Sequence, residues 1–343
     1  TASHNPKQYN GYKVYGEDGG QLPPEGTGAV LKEIEKIEDI TTIKPMPEDE
    51  AIAKGLIKII GKEIDDIYIR NLKTLAINPE AAATSGDMKI VYTPLHGSGN
   101  KPVRKILAET GFKNVLVVKE QELPDPEFRT VKYPNPEERE AFKLAIELAE
   151  KENVDLIIGT DPDCDRAGVV VRNTSGEYVA LTGNQTGCLL LEYILSQKKK
   201  SGKLPENGFV VKTIVTSELA RRIADYYGTE LIEVLTGFKF IGEKIKELDE
   251  TGHKKYIFGF EESYGYLAGT FSRDKDAVVA SMLICEMAAF YKSRGMTLYE
   301  GLQEIYRKYG YFVEDIKSFT LEGKEGLEKI SNAMNTLRAS GQE

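Results

Sequence analysis

Three aspartates at alternate positions, Asp161, Asp163 and Asp165, share the hexapeptide Asp161-Pro162-Asp163-Cys164-Asp165-Arg166. An apolar run, Leu156-Ile157-Ile158, leads in and another, Val169-Val170-Val171, leads out, so the carboxylates crowd into a tight connection between two buried strands. Carboxylates held this close repel one another, and the relief is a raised pKa on one of them or a hard divalent cation that accepts oxygen ligands. The cation is the favoured reading. An EF-hand also begins Asp-x-Asp-x-Asp, but it needs Gly next and Glu in its twelfth position, where this chain has Arg166 and Arg172. Three carboxylates alone suit a small octahedral ion that keeps other oxygen ligands, such as a phosphate, and Arg166 adds a planar donor fork for an anionic oxygen. A solvated turn is the plain alternative; the β-branched flanks weigh against it, because α/β proteins bind ligands at strand ends.

Other stretches carry chemistry less decisively. Thr1-Ala2-Ser3-His4-Asn5-Pro6 packs a hydroxyl, an imidazole, an amide and a rigid proline into one turn-like segment, which a polar surface turn would explain equally well. Gly97-Ser98-Gly99 is no dinucleotide fingerprint, because Pro102 stands where the third glycine belongs. It reads as a loop that lets the backbone approach something closely, with His96 beside it as either a structural hydrogen-bonder or a proton carrier. Glu261-Glu262-Ser263-Tyr264-Gly265 follows an apolar strand ending at Phe260 and suits hydrogen bonding to sugar hydroxyls, or simply a polar cap. Arg273-Asp274-Lys275-Asp276 adds charge downstream, as a solvated helix start also would.

The elements that must position these stretches alternate along the chain. Asn10-Gly11 is expected to turn into a strand through Tyr15, followed by a short amphipathic helix through Leu31, Ile34 and Ile37 to Ile40 and a helical pattern over about 51–71. A strand at 89–92, a helix at 101–110 capped by Asn100 and a strand at 115–118 make one βαβ unit. Asn135 and Pro136 open the helix that delivers the chain to the strand before Asp161. A second set follows, with strands at 209–215, 231–235 and 256–260 and helices at 217–227 and 238–248. Helices near 276–291 and 297–308 precede a strand over 311–321 and a helix over 326–338. Such alternation predicts an α/β protein of successive domains with mixed, mostly parallel sheets covered by helices.

At 343 residues the chain is expected to hold two or three domains. Its 54 acidic and 45 basic side chains give a net charge of -9, which argues against sequence-independent binding to nucleic acid or an anionic membrane. Cys164, Cys188 and Cys285 lack metal-ligand spacing and are odd in number, so a reducing, cytoplasmic compartment is expected. No apolar run reaches membrane-spanning length, and no signal peptide is visible. The opening residues are neither an initiator nor a targeting segment, and the chain is expected to start inside a longer protein.

Four motifs in order give the chain a resemblance to the α-D-phosphohexomutase family of phosphoglucomutases and phosphomannomutases. Thr1-Ala2-Ser3-His4-Asn5-Pro6 resembles its phosphoserine loop and Asp161-Pro162-Asp163-Cys164-Asp165-Arg166 its metal loop. Thr236-Gly237-Phe238-Lys239 and Phe260-Glu261-Glu262-Ser263-Tyr264-Gly265 resemble its two sugar-facing segments. The resemblance implies that Ser3 carries a phosphoryl group, that Asp161, Asp163 and Asp165 bind one Mg²⁺ together with an oxygen on Ser3, and that Arg166 steadies the phosphate. Lys13 and His96 fall where the family has proton-transfer or positioning groups, and His4, Thr236, Gly237, Glu261, Ser263 and Lys275 fall on the substrate side.

The implied enzyme is an intramolecular phosphotransferase of the isomerase class. The Glu-Glu-Ser-Tyr-Gly form is closer to glucose-type members, which implies interconversion of α-D-glucose 1-phosphate and glucose 6-phosphate through a phosphoserine and glucose 1,6-bisphosphate, the latter also an activator. Phosphomannomutase, phosphopentomutase and a non-catalytic sugar-phosphate-binding fragment are the alternatives; a phosphatase with an aspartyl nucleophile would leave Thr1 to Pro6 unexplained. The implied architecture lacks most of the first and fourth domains: 1–50 is the end of domain I, 51–180 domain II with the metal loop, 181–308 domain III with the sugar loop, and 309–343 the start of domain IV. The family's phosphate-binding loop of domain IV is not found. Small sugar phosphates are the expected partners of a monomer or homodimer.

Overall fold

Apolar runs of three to six residues, spaced by amphipathic helices, assemble among the described residues into two sheets that share one buried helix. The computed structural model describes residues 3–9, 11–85, 87–315, 321 and 323–340, in two bodies, Thr1–Tyr311 and Phe312–Glu343.

The first body opens with helices α1 (Pro24–Ile34), α2 (Glu48–Ala53), α3 (Lys62–Lys73) and α4 (Ala81–Thr84). The single helical pattern expected over 51–71 is broken, because Gly55 takes a left-handed φ of +70° and the helix restarts only beyond Gly61. The strand expected to run through Tyr15 shrinks to one bridge between Tyr15 and Gln21, closed by the tight turn at Gly16 and Gly19.

The first sheet contains β1 (Ile90–Thr93), β2 (Val115–Val117), β3 (Leu156–Thr160), β4 (Ala167–Arg172) and β5 (Tyr178–Leu181) in the order β2-β1-β3-β4-β5. β1, β2 and β3 are parallel, whereas β4 and β5 run antiparallel, so residues 161–166 are the turn of a β3–β4 hairpin. Helices α5 (Asn100–Glu109) and α6 (Lys143–Glu152) make the crossovers, with Val91, Phe142, Ala145, Ala149, Ile157 and Val170 in the core. Asn100 is not the cap of α5. It is the first helical residue, and its amide donates to the Glu122 carbonyl at 2.8 Å. The helix expected from Asn135 starts at Lys143, after a short 3-10 turn over Arg139–Phe142.

The second sheet follows α7 (Gly183–Lys200), whose start is fixed by a reciprocal capping box between Thr182 and Gln185. β6 (Gly208–Thr213), α8 (Leu219–Tyr227), β7 (Glu230–Val234), α9 (Phe238–Thr251), β8 (Lys255–Phe260) and β9 (Tyr266–Leu267) give the order β7-β6-β8-β9, parallel except for β9. α10 (Ala277–Ser293) is buried on every side from Ala277 to Ala289 and packs against α4, α5, α7 and β9. A helix apolar all round is a core element, and this one is common to both sheets. α11 (Leu298–Tyr309) ends the first body.

The second body carries α12 (Gly323–Ser340); the strand expected over 311–321 falls partly outside the described residues, and 311–315 form none. Among the described residues no helix is long and apolar enough to cross a membrane.

Candidate active site

The β3–β4 turn is shaped by its first aspartate. Asp161 Oδ1 accepts from the backbone N–H of Asp165 (3.1 Å) and Arg166 (2.9 Å), folding the turn back on itself and leaving Oδ2 for outside partners. Cys164 takes a left-handed φ of 59°, which turns Asp163 and Asp165 to the same side as Asp161. One oxygen from each of the three carboxylates lies within 4.8 Å of the others.

Ser3 meets this cluster from 158 residues away in sequence, with Oγ 2.7 Å from Asp161 Oδ2 and 2.6 Å from Asp163 Oδ1. One hydroxyl proton cannot serve two carboxylates, so the pair holds a further proton. Burial pushes Asp161 well above the usual carboxylate range, and Asp163 and Asp165 add to it. Burial also works against an ionised Asp163, but its bonds to Asp161 and Lys13 overcome that and hold it low. His4 Nδ1 lies 3.1 Å from Ser3 Oγ, and burial together with Arg166 pulls its pKa down to about 4, so the ring is neutral at pH 7.

The cations approach from the other side. Lys13 Nζ bonds Asp163 Oδ2 and Asp165 Oδ2, both at 2.8 Å, and Lys275 Nζ bonds Asp165 Oδ2 at 2.9 Å. Burial disfavours both ammonium charges, yet Asp165 and its acidic neighbours hold both pKa values above the usual lysine range. Asp165 Oδ1 is buried with no hydrogen-bond partner, Arg166 Nε standing 4.0 Å away. The donor set therefore fits a small hard cation: oxygens of Asp161 and Asp163 that already converge on Ser3, and an Asp165 oxygen otherwise costly to leave unpaired. Arg166 bonds Glu137 through Nη1 at 2.5 Å while its buried Nε makes no hydrogen bond, only a 4.0 Å ion pair to Asp165 Oδ1, as suits a fork still able to take an anion.

The 260–265 segment is stitched to the same turn. Arg166 pairs with Gly265 in an isolated antiparallel bridge, and Ala167 N–H donates to the Tyr264 carbonyl at 3.1 Å. Glu261 is buried, and that burial lifts its carboxyl to about 7 against the pull of Lys275 and Arg166. Residues 273–276 send their charges to different elements, with Arg273 3.9 Å from Asp18 and 3.8 Å from Asp249. Asp274 accepts from Tyr15 (2.8 Å), Lys275 reaches Asp165, and Asp276 caps α10 while accepting from Tyr68 on α3 (2.8 Å). A cleft of about 610 Å³ lies between Lys13, Tyr15, Asp163, Asp165, Ser272 and Lys275.

Of the residues singled out from sequence, Ser3, His4, Lys13, Asp161, Asp163, Asp165, Arg166, Glu261 and Lys275 thus form one cluster. His96 stands apart. Its Nδ1 meets the Leu123 carbonyl (2.8 Å) and its Nε2 the Thr130 hydroxyl (2.7 Å), so the carbonyl takes the ring proton and Thr130 donates. What its loop approaches is the metal turn, because a Cβ on Gly97 would lie 2.5 Å from Pro162 Cα and Ser98 N–H donates to the Pro162 carbonyl at 2.8 Å. Gly237 precedes α9, whose first residue, Phe238, lies under Lys275 at 6.0 Å; Thr236 is exposed and Ser263 half-buried. Thr1 and Ala2 of the serine motif lie outside the described residues. Glu137 and Tyr15 went unnoticed in the sequence, since neither one glutamate of the acidic run after Asn135-Pro136 nor one tyrosine among several marks a partner far along the chain.

Comparison with known proteins gives the same answer along the chain. Residues 1–41, 66–176 and 182–309 match the family models of phosphoglucomutase/phosphomannomutase alpha/beta/alpha domains I, II and III. The chain is similar to phosphoglucomutase of Staphylococcus aureus strain USA300, 40% identical over 343 residues, and to that of strain MSSA476 at 39%; it covers 99% of itself and 59% of the length of each. In fold it is similar to a Thermus thermophilus protein described as a phosphomannomutase (TM-score 0.71, 24% identity, 90% of this chain and 62% of the other). It is also similar to Aspergillus fumigatus N-acetylphosphoglucosamine mutase in complex with GlcNAc-6P and magnesium (TM-score 0.55, 15% identity, 90% and 72%).

Proposed function

Since the chain belongs to the phosphoglucomutase/phosphomannomutase family of α-D-phosphohexomutases, we propose that its protein interconverts α-D-glucose 1-phosphate and glucose 6-phosphate through a phosphorylated Ser3. The observation that carries this is Ser3 Oγ at 2.7 and 2.6 Å from Asp161 and Asp163. A hydroxyl placed against a cation-binding triad is where a phosphoryl group and its counter-charge meet. The names of the S. aureus relatives favour glucose over mannose.

Mg²⁺, when held by Asp161, Asp163, Asp165 and an oxygen of phosphorylated Ser3, would offset the charge on the transferred oxygens. The protein's residues do the rest. Lys13 braces the outer oxygens of Asp163 and Asp165, and Arg166, aimed by Glu137, takes a phosphate oxygen. The P–O bond to Ser3 breaks as one to a sugar hydroxyl forms, giving glucose 1,6-bisphosphate, whose other phosphate returns to Ser3 after the sugar turns over. Glu261 and Ser263 grip sugar hydroxyls in either orientation, and Thr236 and Gly237, just before α9, are assigned to the substrate side by the family resemblance. Lys13 and Lys275, held as ammonium ions, neutralise charge, while Glu261, lifted to about 7 by burial, is able to exchange a proton near neutral pH. His96, with both ring nitrogens bonded to the protein, fixes the 94–99 loop rather than carrying a proton. The same reading divides the chain into domains at 1–50, 51–180, 181–308 and 309–343.

The test is a Mg²⁺-dependent isomerase assay on the complete natural protein with glucose, mannose, glucosamine and ribose 1-phosphates, beside Ser3→Ala and phosphate mapping. Label on Ser3 and preference for glucose are expected. Label on an aspartate, or full turnover by Ser3→Ala, would sink the phosphoserine reading, and preference for another sugar would sink the choice of glucose.

A further inference from the structure

Glu262, between the two proposed sugar ligands, points its carboxylate away from the phosphate-side cluster. Its Oε2 accepts from Thr213 Oγ1 at 2.8 Å and Thr216 Oγ1 at 3.1 Å, and the two hydroxyl oxygens lie 2.7 Å apart. The carboxylate oxygen can only accept, so at least one of the two hydroxyl protons goes to it, and the other serves it or the 2.7 Å contact between the hydroxyls.

Both threonines are buried, at the end of β6 and in the turn after it. That turn is fastened from beneath by Lys212, whose fully buried ammonium bonds the Thr216 carbonyl at 3.0 Å and pairs with Glu218 (2.8 Å) and Glu233 (2.7 Å). On its other side the Glu262 carbonyl lies so close to Gly183 that a Cβ there would stand 1.9 Å from it. The peptide that separates Glu261 from Ser263 is clamped from two directions.

We propose that Glu262 is a positioning residue of the sugar site: by accepting from Thr213 and Thr216 it ties the sugar-facing loop to the end of β6 and fixes where Glu261 and Ser263 present their oxygens. The proposal rests on the reading that those two residues grip the sugar. A grip that must accept the substrate in two orientations depends on where the loop presents its oxygens, so loosening the tie lowers sugar affinity before it lowers the rate of transfer.

The experiment measures kcat and KM for glucose 1-phosphate, with saturating glucose 1,6-bisphosphate, in the complete natural protein. Glu262→Ala is expected to raise KM about tenfold with kcat within about threefold, the order expected for a lost charge-assisted hydrogen bond. Glu262→Gln, whose amide oxygen still accepts from both hydroxyls, is expected to stay within about threefold of the parent. Thr213→Val with Thr216→Val should reproduce the rise in KM, and adding Glu262→Ala to that pair should raise it no further, as for groups acting as one unit. Should Glu262→Ala fail to fold, the threonine pair carries the same test. A KM unchanged in both, with only thermal stability lowered, or a Glu262→Gln protein as impaired as Glu262→Ala, overturns the proposal. Glu261→Ala and Ser263→Ala are the reference: if they leave KM unmoved, the sugar-site reading itself fails, whereas if they raise it and Glu262→Ala does not, the positioning role alone fails.

Discussion

Gly183→Ala tests whether the sugar-facing loop owes its place to the start of α7. The added methyl would stand 1.9 Å from the Glu262 carbonyl oxygen and 2.8 Å from the Tyr264 nitrogen, both backbone atoms with no rotamer to yield. Restoring a tolerable contact of 3.0–3.4 Å requires the 262–264 turn to retreat by about 1.1–1.5 Å. Overpacking of this kind costs about 1–3 kcal/mol, a fall of roughly 1–4 °C in Tm for a chain of this size. Because the retreating turn lies between Glu261 and Ser263, a displacement near 1 Å should also lower kcat/KM by about 10- to 100-fold. Gly176→Ala is the control, since Gly176 sits at φ +85° with open space around it. It should cost about 1–2 kcal/mol of backbone strain and leave kcat/KM alone. Thermal melts and steady-state kinetics on both variants decide the matter. A Gly183→Ala protein that melts lower but keeps kcat/KM within about twofold of the parent would refute the reasoning.

Glu261 carries a pH signature. Its carboxyl titrates near 7 in the folded protein against an ordinary 4.5, so between those values the folded state binds more protons than the unfolded, and stability falls as pH rises. The gap amounts to about 3 kcal/mol at most; Glu261→Gln should flatten that part of the profile, and urea unfolding at pH 5 and pH 8 with equal losses in both proteins would contradict it. Mg²⁺ at about 100 times its dissociation constant should stabilise the protein by about 2.7 kcal/mol, seen as a rise in Tm that EDTA reverses. An equal rise in Asp161→Ala would place the ion elsewhere. Thr182→Ala removes one half of the capping box at the start of α7 and should cost about 1 kcal/mol by denaturant unfolding, which a midpoint equal to the parent's would disprove.

The sequence made some of this legible and hid the rest for physical reasons. The Asp161-Pro162-Asp163-Cys164-Asp165 turn was readable because like charges between apolar strands are costly wherever they occur, and the strands around it follow from unbroken β-branched runs. The break in the helical pattern over 51–71 was not, because apolar spacing continues through residues 54–61 while the left-handed turn at Gly55 ends the helix. Ser3 beside the 161–165 turn, a contact spanning 158 residues, was legible through the family resemblance and not from any local pattern. That Glu137 holds Arg166 depends on a contact spanning 29 residues that neither encodes. His96 shows the converse, since a histidine in a glycine loop invites a proton-transfer role that only its two bonded nitrogens argue against.

Where the site lies follows from where the sheets meet. β4 begins at Ala167, β9 at Tyr266, and the residues just before them, Arg166 and Gly265, pair with each other, so the seam between the sheets is also the boundary between metal turn and sugar-facing loop. The Cys164 carbonyl accepts from Ala277 N–H at 3.1 Å, which binds the start of α10 into the same seam. Ser3, His96, Cys164 and Tyr264 all adopt left-handed backbone in the loops around it, at φ 53°, 63°, 59° and 64°. Conformations of this kind cost of order 1–3 kcal/mol each and persist where the surroundings over-determine them. Here the surroundings are two sheets and a buried helix. The phosphoryl transfer proposed above needs donor and receiving hydroxyl at a fixed separation; main-chain bonds hold the 161–166 turn against the 260–265 loop, and Ser3 meets that turn through its side chain.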